Sequence, residues 1–200
     1  MLFARGKINE TTLATDAPAG TRIFSVDVGT PPFDVGDPIF VGAADGSKIE
    51  WLGRVVAVQG SAITMQRATR LGQEAGATVW SPAAIFEMPD GPADLPRREF
   101  LLGLAPEWAV GGTFYQTRIA DPARVEHFEF HRLTASQIEA FRTFVETPLQ
   151  SGLVEFTYVD AQRHAWRVSF AKGSYFVKPS SEDLFALTFD LALLEENSGA

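Results

Sequence analysis

His127, Glu129 and His131 form an H-x-E-x-H run on a segment with strand character. Alternation along a strand puts all three side chains on one face, where they could ligate a metal ion. Successive members of that run sit about 7 Å apart, so one ion would need further ligands from elsewhere in the chain. The plainer reading is a solvated polar face opposite Phe128 and Phe130. This is not the helical H-E-x-x-H of zinc hydrolases. His164 lies beside Arg163 in an expected turn, and no Ser or carboxylate is expected to be placed to make it a general base. Asp45-Gly46 and Asp90-Gly91 read as turn formers without the ligand spacing of a calcium loop. Gly111-Gly112 lacks the Lys-Ser/Thr of a phosphate loop. Trp51, Trp80, Trp108 and Trp166 could act as aromatic platforms for sugars, although strand pattern assigns Trp166 to a core and a small barrel would absorb Trp51 and Trp80. A pair of glycosidase carboxylates need not be close in the chain, so a hydrolase stays open as an alternative.

The bulk composition narrows the classes. The 200 residues are 46% hydrophobic, with 16 Phe and 4 Trp, which is ample material for a packed core. The net charge of −8 argues against a surface that grips nucleic acid, since that needs a basic stripe. It suits a surface that nucleic acid slides past. The absence of cysteine excludes disulfides, thiolate chemistry and Cys-based zinc sites. The first residues, Met-Leu-Phe-Ala-Arg-Gly-Lys, hold no apolar run of signal-peptide length. No stretch approaches the roughly 20 apolar residues of a membrane helix. A soluble protein made in a cytoplasm, with no cofactor, no membrane partner and no sequence-specific nucleic-acid partner, is the expectation.

The elements that must position these residues are mostly strands. Residues 1–20 are small and polar and read as an extended arm. Residues 21–82 form a small all-β module. Thr21–Val28 alternates, with Ile23, Ser25 and Asp27 on one face and Phe24, Val26 and Val28 on the other. Pro38–Ala43 and Ile49–Val58 flank the Asp45-Gly46 turn, the second strand bending at Gly53. Ala62–Gln66 and Ala77–Trp80 complete a barrel-like set. Residues 83–123 are a Pro/Gly-rich connecting segment, with a strand over Thr113–Arg118.

Residues 124–200 form the last module. Val125–Leu133 is a strand. Thr134 opens a helix through a capping box with Gln137, and Ile138, Phe141, Phe144 and Val145 make its apolar stripe. Thr147-Pro148 and Gly152 end it. Leu153–Val159 and Ala165–Phe170 form a hairpin, a turn follows near Gly173, and Tyr175–Val177 is short. The final strand, Leu184–Leu194, aligns Phe185, Leu187, Phe189, Leu191 and Leu193 on one face. Its other face carries Leu184, Ala186, Ala192 and Leu194. A strand apolar on both sides is usually covered on both sides. One helix covers one side, so another copy of the chain is the expected second cover, and these four residues are the expected oligomer interface. The fold class is mainly β with one principal helix.

The order strand, helix, hairpin and long return strand resembles the tail-tube-like domain of tailed-phage distal tail and minor tail proteins. The phrases "LTASQIEAFRTFVETPLQSG", "LVEFTYVDAQRHAWRVSF" and "LFALTFDLALLEE" carry the resemblance. "VGDPIFVGAADGSKIEWLGRVVAVQGSAITMQRA" is similar to β-modules attached to tail-tip proteins. The resemblance implies a non-enzymatic virion protein, assembled in the host cytoplasm. It implies a ring, commonly hexameric, between tail tube protein and baseplate hub protein, with the tape measure protein as a further partner. In the better-known distal tail proteins the ring domain comes first, whereas here the ring-like module is C-terminal. A carbohydrate- or receptor-binding tail module is the second expectation.

Overall fold

The computed structural model describes residues 1–27, 31–88, 97–101, 104–108, 114–118, 123–160, 162–181 and 183–196. Val28, Thr30, Asp90-Gly91 and Gly111-Gly112 lie outside them, as does the side chain of Trp108. In chain order the elements are β1 (Leu2–Arg5), β2 (Ile8–Thr12), β3 (Ile23–Ser25), β4 (Pro38–Gly42), β5 (Glu50–Gln59), β6 (Ala62–Met65), β7 (Thr78–Ser81) and β8 (Ala84–Glu87). Then follow β9 (Arg97–Leu101), β10 (Leu104–Trp108), β11 (Phe114–Arg118), β12 (Ala123–Thr134), α1 (Ala135–Glu146), β13 (Phe156–Val159), β14 (Ala165–Ser181) and β15 (Leu184–Glu196). Strands hold 55% of the chain and helix 8%, so the fold is mainly β. Two compact units form, one from Met1–Pro89, Phe156–Arg167 and Glu195–Ala200, the other from Asp90–Glu155 and Val168–Leu194.

In the first unit six strands run in the order β2-β7-β4-β5-β6-β3. The two outer strands meet just past their ends. Leu13 and Val26 form an antiparallel bridge, Ala14 N–H donates to Ser25 O at 2.9 Å, and Asp27 N–H donates to Thr12 O at 3.0 Å. The Thr12 hydroxyl adds a bond to the Asp27 carboxylate at 2.6 Å. The sheet is thereby a closed barrel, which leaves no long unpaired edge. Alternation along the strands fills it. Phe24, Ile63 and Met65 point inward with Leu13, Leu52 and Val79, while Ile23 and Thr64 face out. Gly53 bends β5 as expected. Ile39 pairs with Gly53 and Phe40 with Trp51, so one extra residue sits in β5, and Gly53 takes φ +79° to accommodate it.

The first twenty residues, expected as an extended arm, contain β1 and β2. β1 is flanked by β8 and β13, and β2 pairs with β7. The reason is the short apolar run Leu2-Phe3-Ala4, which is buried. The Phe3 ring stacks on Phe86 at 6.2 Å and Tyr158 at 5.6 Å and meets Phe156 edge-on at 5.9 Å. Phe156–Arg167 thus belongs with the first unit rather than with the C-terminal segment that sequence reading assigned it to.

In the second unit the strand order is β14-β15-β12-β9, and β10 and β11 pair as a separate two-stranded ribbon. β11 matches the strand expected near Thr113–Arg118. The capping box is present: Gln137 N–H donates to Thr134 Oγ1 at 3.3 Å, and Thr134 N–H donates to Gln137 Oε1 at 2.7 Å. Ile138, Phe141, Phe144 and Val145 are the buried stripe of α1. Phe141 stacks on Phe189 at 5.3 Å and meets Tyr175 edge-on at 5.2 Å, so the helix covers one face of the sheet. Two boundaries differ from expectation. β13 begins only at Phe156, because the helix end continues in turns through Gly152 and Leu153 is exposed. β14 runs through Gly173 to Ser181 as one strand with no turn.

A Gly53→Ala substitution tests the barrel bend. The added Cβ would lie 2.7 Å from Gln66 Oε1, and that oxygen accepts from Arg54 N–H. Left-handed backbone plus the displaced Gln66 should cost about 2 kcal/mol, read as a lower urea midpoint for the first unit. An unchanged midpoint would refute the bulge assignment.

Candidate functional site

The H-x-E-x-H residues are on β12, but they separate. His127 is in register with Asp190 of β15, and its Nδ1 bonds the Asp190 carboxylate. His131 Nε2 lies 3.4 Å from Glu129 Oε1, and both of those side chains are exposed. Beyond Phe130 a bulge shifts the register, with Arg132 at φ +62°. Among the described residues no group of three or more His, Cys, Asp or Glu side chains is placed to hold a metal ion. Each histidine instead has a carboxylate of its own.

His164 closes the β13–β14 turn. Its N–H donates to Asp160 Oδ1 at 2.8 Å, its ring Nδ1 lies 3.3 Å from Asp160 Oδ2, and its carbonyl accepts from Asp160 N–H at 3.0 Å. Trp166 Nε1–H adds a long bond to the same carboxylate at 3.4 Å. His164 is a turn residue as expected, but a carboxylate does stand beside its ring, contrary to expectation, because Asp160 four positions earlier folds back to order the turn. The turn is clamped to a barrel loop by two arginines. Arg163 Nη2 donates to Ala68 O at 2.8 Å, and Arg70 Nη1 donates to Gln162 O. Beneath them Glu50, only 2% exposed, accepts from Arg70 N–H at 2.7 Å and Leu71 N–H at 2.6 Å and lies 3.8 Å from Arg163 Nη2. Burial lowers the pKa of Arg163 and the Glu50 charge opposes that shift. Sequence reading missed this cluster, because the arginines and their partners stand 95 and 92 positions apart.

Trp80 and Trp51 are not open platforms. Trp80 is 7% exposed, stacked on Phe40 at 5.8 Å with the Lys7 ammonium 4.4 Å from its ring. Trp51 is half-buried against the same apolar cluster, and the Arg67 guanidinium sits 4.2 Å above it.

One cleft of about 250 Å³ does open in the first unit, between the turns at 43–48 and 73–77. The Asp45-Gly46 turn that forms one wall is built as sequence predicted. Gly46 has φ +84°, and Asp45 Oδ1 accepts from the Ser47 hydroxyl at 2.6 Å and the Ser47 N–H at 2.9 Å. Those two bonds, the hydroxyl first, hold the Asp45 carboxyl below its ordinary pKa.

The expected interface residues lie on β15. Leu187, Phe189, Leu191 and Leu193 are buried. On the alternate positions Leu184 and Ala192 are half-buried, Ala186 is buried and Leu194 is 43% exposed. Val125 and His127 of β12 pair with Ala192 and Asp190, so they share that face. Phe176 of β14 is 60% exposed. No protein-family model and no curated protein matches this sequence.

Two predictions follow from these side chains. Glu50→Ala strands two part-buried N–H donors and a partly buried arginine, so urea denaturation should show a loss of about 2 kcal/mol; a loss below about 0.5 kcal/mol would sink the clamp assignment. Ser47→Ala should raise the Asp45 titration toward the ordinary carboxylate value, read by carbon-detected NMR. Because the folded value is the lower one, the stabilisation from Asp45 is present above its unfolded pKa and fades as pH falls through the folded value. In the variant that contribution should be smaller and its loss complete at a higher pH.

Proposed function

We propose that the chain is a structural subunit of a tailed-phage tail tip. In this reading copies of the second unit join side by side in a ring, with six copies favoured, between tail tube and baseplate or hub. The carrying observation is the second face of the β12–β15 sheet. α1 covers one face, while away from it Leu194 of β15 and Phe176 of β14 stay exposed and Leu184 and Ala192 are only half-buried, although Ala186 and Val125 are buried. A second feature agrees: β9 ends the strand order, and no strand among the described residues pairs with its outer edge. Edges are normally guarded against such pairing, and a closed ring satisfies them by symmetry. The net charge of −8 suits a lumen that lets DNA pass without sticking.

The test is solution mass by light scattering and mass photometry, with electron microscopy of the assembled species. The expected result is a closed oligomer of fixed stoichiometry. Leu194→Asp and Phe176→Asp each remove an apolar contact worth about 1.5–3 kcal/mol and should weaken self-association by one to two orders of magnitude, about 1.4 kcal/mol each. A chain that stays monomeric at high concentration, and that no tail particle contains at fixed copy number, is incompatible with this function.

A further inference from the structure

The cleft between the 43–48 and 73–77 turns has the makings of a ligand site independent of any ring. Gln73 lines it and is 2% exposed. Its backbone is pinned, exchanging N–H···O bonds with Ala17 at 2.9 and 2.8 Å. Its side chain is pinned at one end, because Nε2–H donates to Lys48 O at 2.9 Å. A carbonyl can only accept, so the amide orientation is set and Oε1 is the free end. That oxygen is buried and has no hydrogen-bond partner. A buried acceptor without a donor is costly, and it belongs to a residue that lines the cleft, so a donor brought in from outside is rewarded.

The other lining groups define that donor. Asp45 is held ionised by Ser47, the Glu74 side chain is exposed, and Lys48 is the one cation in the lining. Ala43, Ala75 and Ala77 supply apolar wall. Two carboxylates repel an anionic ligand, and Lys48, whose charge acts on Asp45, disfavours a simple amine. Hydroxyl groups satisfy both sides, donating to Gln73, Asp45 and Glu74 and accepting from Lys48. About 250 Å³ is room for one sugar-sized ring. We infer that this cleft binds a neutral polyhydroxylated ligand of monosaccharide size. Oε1 is buried, so seating a hydroxyl on it requires a small local opening of the lining.

The ligand is either a free sugar or the exposed end of a glycan, and the experiment separates them. The full chain is titrated with neutral hexoses to about 50 mM, an affinity range common for single-ring ligands, and followed by amide NMR. Agmatine serves as the cationic comparator, and a hexose-bearing polymer as the glycan arm. Saturable shifts confined to 43–48 and 73–77 are expected. Glu74→Ala, at an exposed side chain, should weaken binding at least tenfold, and Gln73→Leu should abolish it. Equal response to free and polymer-linked hexose assigns a free sugar; response to the polymer alone assigns a glycan end; both support the site. If Gln73→Leu does not fold, Glu74→Ala decides. No saturable shift in either arm, shifts that survive Glu74→Ala, or binding of agmatine in place of hexose would each overturn the inference.

Discussion

Unpaired strand edges must be satisfied, and the first unit meets that constraint by closing six short strands on themselves. None of those strands is long enough to be stable alone. The bond set around Leu13, Val26, Thr12 and Asp27 joins the first outer strand to the last. Closure holds the inward row of Phe24, Ile63, Leu52 and Met65 away from water. It also gives the connecting turns a rigid base. The turn at 43–48 and the loop at 67–71 can carry polar groups at set positions because the strands beneath them cannot slide.

Two features depend on that base. The Glu50 carboxylate is buried at the start of β5, where its oxygens cap Arg70 and Leu71 N–H. A carboxylate taken out of water is tolerable only with such donors. Its charge and the loop carbonyls then make a seat for Arg163, which brings the β13–β14 turn onto the barrel loop. The cleft beside the Asp45 turn has the opposite character. Its Gln73 amide is fixed at the nitrogen and unanswered at the oxygen. One buried polar group is satisfied and structural; the other is partly satisfied and poised for a donor.

The second unit relies on aromatic packing instead. Phe128, Phe130 and Phe189 stack across β12 and β15, and Phe141 of α1 adds a fourth ring. Much of this was legible beforehand, because α1 shows a clear period, a capping box and a C-terminal Gly. The hairpin boundaries were less legible. Gly173 reads as a turn in isolation, yet β14 passes through it, since pairing within a sheet can carry a strand past a weak residue. The burial of Leu2-Phe3-Ala4 was equally hidden. Three apolar residues carry no period, and only their partners Phe86, Phe156 and Tyr158 explain them.

The sequence alone determined the fold class, the cap and stripe of the helix, the alternation through Ile23, Phe24, Ser25 and Val26 and the bend at Gly53. These depend on neighbours within a few positions, where side-chain period and backbone preference act directly. Tertiary structure alone decided the rest: that the barrel closes, that His127 meets Asp190 while Glu129 meets His131, that cations cover Trp51 and Trp80, and that Gln73 is left with an unanswered oxygen. All but the Glu129–His131 contact join residues far apart in the chain. Which distant groups meet is set by strand order and register, and no local pattern of residues encodes either.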